Sequence, residues 1–185
     1  MSILNKSKKV VLYAPTFRKD GEPKDLVLNN EMLLNAFRSY YKKDVVLLYR
    51  FHPNQTKLVK DLKFESENIL NVTDYPDSVD LEIFADFLIT DFSSTMADFM
   101  ILRKPCIMLI KDYEEYIMNQ RSLYMAIDDM PYPFVKNEGE FNQFLKNNSN
   151  FEKNIEDKIN KFSMFLGLSE NGNACESLYN WIKKH

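Results

Sequence analysis

The sequence predicts an α/β protein whose core is a parallel sheet covered by helices on both faces. Short apolar runs alternate along the chain with segments of helical period, which favours parallel strands joined by helical crossovers. The run at residues 45–49 is apolar at every position, as is typical of a strand buried on both faces. Because such crossovers are right-handed, the expected topology is a doubly wound, Rossmann-like sheet.

Five segments are expected to be strands, because they are short, apolar and bounded by turn-forming residues. They are residues 10–14, 44–50, 68–72, 86–90 and 105–110. The fourth segment is expected near the centre of the sheet, since it is apolar and has a helical segment on either side in the sequence.

Six segments have the apolar spacing of helices. They are residues 30–41, 79–85, 94–102, 140–146, 151–165 and 174–184. Gly167 is expected to end the fifth helix, because glycine adopts the left-handed conformation that closes helices. The sequence shows no repeat and no linker, so residues 1–185 are predicted to form one domain.

Composition and charge describe a soluble globular protein with enough residues for a full hydrophobic core. The chain has 185 residues, of which 45% are apolar and 28% charged. The chain has 24 lysines and arginines and 27 aspartates and glutamates, which gives a net charge of -3. This balance does not provide the excess of positive charge that nucleic-acid binding requires. An anionic ligand must therefore be held by a few local groups.

Secretion and membrane spanning are disfavoured, and a reducing cytoplasm is the expected location. The basic start of the chain leads into a strand-length apolar run, and no apolar stretch approaches the ~18 residues of a membrane span. The two cysteines, Cys106 and Cys175, have neither metal-ligand spacing nor the density of a disulfide scaffold. The sequence therefore predicts no metal site and no cofactor.

The turn after the fourth strand carries the first candidate binding residues, since ligands of parallel sheets bind beyond the carboxyl ends of the strands. The segment DFSST ends with three hydroxyls just before a helix, where free backbone amides and the helix dipole suit a pyrophosphate. An ordinary helix cap requires only one of these hydroxyls. Asp98, one helical turn further, is a candidate for ribose hydroxyls, or else a solvated charge. The candidates in the turn itself are Asp91, Ser93, Ser94 and Thr95.

The second strand ends in RFHPN, which contains two groups that can carry positive charge. His52 follows the strand directly, and Pro53 restricts the turn after it. Imidazole exchanges protons near neutral pH, so His52 can be a general base, a phosphate ligand or a hydrogen-bonded structural group. Arg50 is two residues earlier, on the same side of a regular strand, and the pair favours an anion.

The first and third strand ends add further candidates. Arg18 follows the first strand in the segment APTFR, and its guanidinium can bind phosphate oxygens bidentately or remain solvated. Thr73 and Tyr75 follow the third strand in the segment VTDYPDS, where the tyrosine can stack on a base or serve as a core-edge aromatic.

The ordered motifs resemble one known family. The chain contains VLYAPTFR, then RFHPN, then VTDYPDSVDLEIFADFLITDFSSTMADFMILRKPCIMLIKDYEEY. Together these are similar to the nucleotide-binding half of the CDP-glycerol glycerophosphotransferases, the teichoic-acid polymerase and primase group. The resemblance runs from about residue 10 to residue 116 and continues more weakly to the end of the chain. It implies two Rossmann-like domains in the glycosyltransferase-B arrangement, of which this chain is one.

The resemblance also implies a site and a reaction. It assigns His52, Ser93, Ser94 and Thr95 to diphosphate binding or catalysis, and Asp98 to the ribose. The implied reaction transfers glycerol phosphate, or another polyol phosphate, from a CDP-activated donor to a teichoic-acid or capsular polymer or a lipid-linked acceptor. The parent enzyme is expected to associate peripherally with the inner face of the cell membrane.

Two departures from the family pattern bear on what this chain does alone. The W-H-G-type segment of the acceptor half, with its second functional histidine, does not occur in this sequence, which predicts a fragment of a two-domain transferase. The family pattern D-G-x-A-[SC]-x-R is replaced by NGNACES at residues 171–177, so its arginine is missing. Since reacting groups must converge from both halves, we expect nucleotide binding without transfer, with the last helices packing on the other half.

Two alternative functions remain open at this stage. A UDP-sugar-dependent glycosyltransferase or epimerase of the same architecture would hold its diphosphate in the same way, and a panel of nucleotides separates these cases. A non-catalytic nucleotide-binding domain would keep the fold, but it has no need of Arg50 and His52.

Overall fold

The core of the fold is a sheet of six parallel strands. The computed structural model describes residues 7–18, 23–60, 62, 64, 66–119, 125–169 and 171–185. The strands within these ranges are β1 (Lys9–Tyr13), β2 (Val45–Tyr49), β3 (Ile69–Asn71), β4 (Phe87–Thr90), β5 (Cys106–Leu109) and β6 (Phe134–Val135). Their order is β3-β2-β1-β4-β5-β6, and every neighbouring pair is parallel. This confirms the predicted doubly wound, Rossmann-like sheet, with β4 beside β1 at its centre.

Helices cover both faces of this sheet, so β2, β4 and β5 are buried at every position. The helices of the described residues are α1 (Asn30–Tyr41), α2 (Thr56–Val59), α3 (Ser78–Phe84), α4 (Thr95–Ile101), α5 (Tyr113–Asn119), α6 (Glu138–Asn147), α7 (Glu156–Phe165) and α8 (Ala174–Lys184). None of them is long and apolar enough to cross a membrane.

The structure differs from the sequence-based expectation at four places. The two-residue strand β6 and the four-residue helix α2 were not expected, because they are too short to show a period. The helix α5 was not expected either, because Tyr116 is its one buried residue and a single buried position shows no period. The predicted helix at residues 151–165 is divided into a 3-10 turn, Phe151–Lys153, and α7. Phe151, Ile155 and Ile159 are nevertheless all buried at helical spacing, so the apolar pattern predicted the buried face although the backbone is interrupted.

An aromatic cluster attaches the last part of the domain to the sheet. Phe37 of α1 packs edge-on against Phe87 of β4 and Phe141 of α6, with ring centroids 4.8 and 5.7 Å apart. Phe151 completes the cluster at 5.9 Å from Phe87. These rings place α6 beside α1 on one face of the sheet.

The C-terminal helices become progressively more exposed. Gly167 has φ of +66°, and its amide donates to the carbonyl of Met164, so it ends α7 as expected. None of the residues of α8 is buried, and its apolar side chains Leu178, Trp181 and Ile182 are all more than half exposed.

The ends of β1 and β4 are joined by the buried carboxylate of Asp91. One oxygen of Asp91 accepts hydrogen bonds from the backbone amide and the hydroxyl of Thr16, at 2.8 and 2.6 Å. The other oxygen accepts from Nη2 of Arg18 at 2.7 Å. Asp91 follows β4 directly, whereas both partners follow β1, so this carboxylate sets the path of the first loop above the sheet.

The guanidinium of Arg18 is held by a second carboxylate and by two rings. Its Nε and Nη2 donate to Asp112, beyond β5, at 2.6 and 3.0 Å. It lies over Tyr116 and Phe92, at 4.8 and 5.5 Å from the ring centroids. Burial lowers the pKa of Arg18, but the hydrogen bonds and charges of Asp112 and Asp91 outweigh burial and raise it above the ordinary value.

Replacing Asp91 by alanine is expected to destabilise the domain strongly. The change leaves the Thr16 amide and part of the Arg18 guanidinium without an acceptor, and the loss of one partner of a buried ion pair costs about 3 to 5 kcal/mol. Urea unfolding measures the difference. Asp44→Ala is the matched control, because its carboxylate is exposed and 4.0 Å from Arg38. The control is expected to cost less than about 1 kcal/mol, and equal losses in the two variants would contradict the anchoring role of Asp91.

Candidate functional site

A cavity of about 160 Å³ opens where β1, β2 and β4 end. Because these strands are parallel, their carboxyl ends lie at the same edge of the sheet. Eleven residues line it, namely Leu12, Ala14, Pro15, Arg50, Phe51, His52, Pro53, Ser78, Glu82, Ser93 and Thr95. We call this space the strand-end cavity. It brings together four of the residues that the sequence singled out: Arg50, His52, Ser93 and Thr95.

The turn between β4 and α4 presents two hydroxyls side by side. The Oγ atom of Ser93 is 2.9 Å from Oγ1 of Thr95 and accepts the backbone amide of Thr95 at 3.3 Å. Ser94 caps α4 without a side-chain hydrogen bond and is exposed to solvent. Ser93 and Thr95 therefore line the cavity, whereas Ser94 does not.

His52 is exposed, and its ring nitrogens have different environments. Nδ1 accepts a hydrogen bond from the backbone amide of Asn54 at 3.2 Å, because Pro53 starts a 3-10 turn that directs this amide back toward the ring. The proton of a neutral His52 therefore lies on Nε2. The ring also packs against Phe17, with centroids 5.5 Å apart. His52 is thus arranged to donate a hydrogen bond from Nε2.

Arg50 and Thr73 hold the ends of β2 and β3 together. Arg50 donates from Nη1 to the carbonyl oxygen of Thr73, and the amide of Phe51 donates to the Thr73 hydroxyl at 3.1 Å. Burial lowers the pKa of Arg50, and the nearby Asp74 and Asp77 partly offset this effect. Thr73 is buried and does not line the cavity, so its contacts connect strand ends.

The remaining predicted residues do not line the cavity. Tyr75 donates a hydrogen bond to Asp80 at 3.0 Å, and Asp98 is exposed on α4. Arg18 and Asp91 do not line the cavity and are occupied by the contacts described above. The structure thus separates a lining set from residues that support it.

Sequence reasoning missed Ser78 and Glu82, which line the cavity from α3. They lie on the same helix face as Leu81 and Ala85, and Glu82 is as buried as the apolar residues around it. Burial, together with the smaller effects of the charges of Asp98 and Asp77, raises the pKa of Glu82 to about 7. An acidic residue at an apolar helix position was the signal that could have identified it.

Among the described residues, no group of three or more histidine, cysteine, aspartate or glutamate side chains is arranged to hold a metal ion. The charged and polar groups of the strand-end cavity instead suit an anion with several oxygen atoms. Arg50 and the Nε2 proton of His52 offer donors on one side, and the hydroxyls of Ser93 and Thr95 offer donors on the other.

Relatives with curated descriptions match most of this chain. Teichoic acid glycerol-phosphate transferase of Staphylococcus aureus is 31% identical over 181 residues, which are 96% of this chain and 46% of that protein. Teichoic acid ribitol-phosphate primase of Bacillus spizizenii is 31% identical over 131 residues, which are 71% of this chain and 33% of that protein. This chain therefore spans less than half the length of either relative.

A solved structure and a family model cover nearly the whole chain. A histidine-to-asparagine variant of the wall teichoic acid polymerase TagF, soaked with CDPG, has a TM-score of 0.73 and 29% identity to this chain, and the match covers 98% of this chain and 43% of that one. The model of the family described as CDP-Glycerol:Poly(glycerophosphate) glycerophosphotransferase matches residues 2–184. With a match of this extent, the chain belongs to the CDP-glycerol:poly(glycerophosphate) glycerophosphotransferase family.

Proposed function

We propose that this chain is the CDP-polyol-binding half of a transferase that moves polyol phosphate to a teichoic-acid or capsular polymer. The strand-end cavity carries the proposal, because donors from β2 and from the β4–α4 turn converge there in a chain of this family. Glycerol phosphate is the first choice for the transferred group, since the Staphylococcus aureus relative is a glycerol-phosphate transferase. Ribitol phosphate is the second, since the Bacillus spizizenii relative is a ribitol-phosphate primase.

The size of the cavity indicates which part of the donor it takes. At about 160 Å³ it is smaller than the roughly 300 Å³ of the smallest typical ligand pockets, so it accommodates the diphosphate and not the whole donor. In this proposal the ribose extends toward Asp98, which is close enough to Glu82 to raise the pKa of its carboxyl group. The base stacks on Tyr75, and Ser94 adds a hydroxyl at the solvent side.

The supporting residues keep these groups in place. In this proposal Arg18 and Asp91 act by positioning the end of β4, and Thr73 acts by fixing Arg50 at the end of β2. A diphosphate bound between the two strand ends then contacts donors that already have fixed positions. Because these donors need not be ordered on binding, the entropic cost of binding is lower.

The chemistry assigns a donor role to His52. An oxygen of the acceptor hydroxyl forms a bond to the phosphorus that carries the polyol, the bond from this phosphorus to the bridging oxygen breaks, and CMP leaves. Because Nδ1 of His52 accepts the Asn54 amide, its Nε2 proton can stabilise charge on a phosphate oxygen. The base that takes the acceptor proton then comes from the other half of the enzyme.

The exposed face of α8 is proposed to pack on that other half. Leu178, Trp181 and Ile182 form an amphipathic face with no buried member. The chain spans less than half of the length of its relatives, so the missing part of such an enzyme is available to cover this face. The polymer or lipid-linked acceptor would reach the site through the same half, with the parent enzyme associated peripherally with the inner face of the cell membrane.

Ser93→Ala is expected to weaken binding of CDP-glycerol by about 1 to 3 kcal/mol, because it removes a hydroxyl that donates to a charged phosphate. Ser39→Ala is the matched control, since Ser39 is exposed on α1 and does not line the cavity. Titration calorimetry on the isolated folded chain measures both. An unchanged affinity in the Ser93 variant would refute the diphosphate site, and so would an equal loss in the control.

His52→Ala is expected to abolish transfer by the parent enzyme while weakening CDP-glycerol binding by the isolated chain only a few fold. His52→Gln should restore part of the transfer, because the glutamine amide can place an N–H donor close to the position of Nε2. Turnover with radiolabelled CDP-glycerol and binding by calorimetry separate the two effects. Full activity in the alanine variant would remove His52 from the mechanism.

Trp181→Ala is expected to lower the thermal stability of the parent enzyme, because the indole becomes buried between its halves. The same change in the isolated chain should leave the urea midpoint unaltered, since 59% of Trp181 is exposed there. Lys184→Ala, on the same helix, serves as the control in both proteins. A parent enzyme that is indifferent to the Trp181 change would contradict the packing of α8 on the other half.

A further inference from the structure

Glu82 is a buried carboxyl group that lines the strand-end cavity without a partner. Only 3% of the residue is exposed. Within the described part of the chain, its carboxyl oxygens take part in no hydrogen bond or ion pair, and Lys104 reaches only its backbone carbonyl oxygen, at 3.4 Å. Among the described residues, the polar side-chain atoms that are fully enclosed and lack a partner belong to Gln55, so the carboxyl group of Glu82 still faces the space of the cavity. A molecule bound there can supply the partner that the protein does not.

The charges around Glu82 come from three elements. Asp77, at the start of its own helix, and Asp98, on α4, both disfavour a negative charge on its carboxyl group. Arg50 and His52 line the same cavity from the end of β2, and neither is within salt-bridge distance of Glu82 in the described residues. The apolar surroundings and the two aspartates therefore keep an appreciable share of Glu82 protonated at neutral pH.

A diphosphate in this cavity would add to the same effect. The cavity encloses about 160 Å³, so a phosphate bound by Ser93 and Thr95 is also a near neighbour of Glu82. An ionised carboxylate so close to a phosphate repels it, whereas a protonated carboxyl group has an O–H that can donate to a phosphate oxygen. The bound anion thus selects the protonated form.

We propose that Glu82 is a further ligand-binding residue, which donates a hydrogen bond from its protonated carboxyl group to a phosphate oxygen of the bound donor, so that binding takes up a proton. The proposal rests on the proposed function, because it requires an anion in the strand-end cavity. It adds a residue that the motifs of the sequence do not contain and makes the affinity of the site depend on pH.

The sign of this dependence follows from which form binds. Below about pH 7 Glu82 is largely protonated and ready to donate, so affinity is at its highest. Above this pH a proton must be taken up with each ligand, and the affinity is expected to fall about tenfold for each further pH unit. CDP-glycerol is the suitable probe, because each of its phosphates has one ester bond and one anhydride bond and therefore keeps a single negative charge across this range.

The test is titration calorimetry of the whole chain with CDP-glycerol between pH 6 and 8.5, in pairs of buffers with different ionisation enthalpies. The wild type is expected to bind less tightly as the pH rises and to take up close to one proton above pH 7. Glu82→Gln keeps an N–H donor and cannot titrate, so its affinity should stay near the wild-type value at pH 6 and change little with pH. His52→Gln, measured in parallel, should keep the pH dependence of the wild type.

Glu115→Gln is the matched control, because Glu115 is exposed on α5 and does not line the cavity. A wild-type affinity that does not change with pH, without proton uptake, would overturn the role of Glu82 and leave the proposed function intact. A pH dependence that persists in Glu82→Gln and disappears in His52→Gln would assign the proton to His52 and also overturn the proposal. Absence of binding by the wild type at every pH would overturn the proposed function together with it.

Discussion

The carboxylate of Asp91 is the constraint on which the upper edge of the sheet depends. It lies at the end of the central strand β4 and accepts three hydrogen bonds, all from residues that follow the neighbouring strand β1. Arg18 extends this connection to Asp112 beyond β5, so the ends of three adjacent strands are joined through buried or half-buried charges. Removal of Arg18 would leave both carboxylates without their counter-charge, and removal of Asp91 would leave the Thr16 amide and part of the guanidinium without an acceptor, so either change is costly in this poorly solvated place. The turn that carries Ser93 and Thr95 starts directly after this anchor.

The strand-end cavity is lined by few groups that can carry charge, namely Arg50, His52 and Glu82, and the chain as a whole is slightly acidic. In the proposed function, a chain with a net charge of -3 offers a diphosphate little long-range attraction, so the affinity would come from donors placed at short range. The hydroxyls of the β4–α4 turn, Nε2 of His52 and Arg50 are such donors, and their backbone positions are set by the sheet. Glu82 brings an acidic group into the same space, where burial and two nearby aspartates raise its pKa to about 7, so that it is not a fixed negative charge at neutral pH.

Much of the fold was accessible from the sequence, because the central strands are buried on both faces and therefore leave uninterrupted apolar runs. The expected strand at residues 86–90 is β4, and the expected helix at residues 30–41 is α1. β6 was not predicted because its two residues, which follow Pro133, are too few to show a period. The division of the helix at residues 151–165 was not predicted because burial continues across the break. Tertiary packing decides such short elements, and local preference does not.

For the site, the sequence by itself determined which strand ends carry hydroxyl, imidazole and guanidinium groups, and the order of these motifs indicated the family. Only the tertiary structure decided which of them share one space. It placed Ser93 in the cavity lining and the adjacent Ser94 outside it. It also paired Arg18 with Asp91, which the sequence could not predict because an ion pair between distant segments produces no periodic pattern. It also placed Glu82 at the cavity wall. A glutamate in a sequence is expected to be solvated, and its desolvation arises only when α3 packs against the ends of β1 and β2.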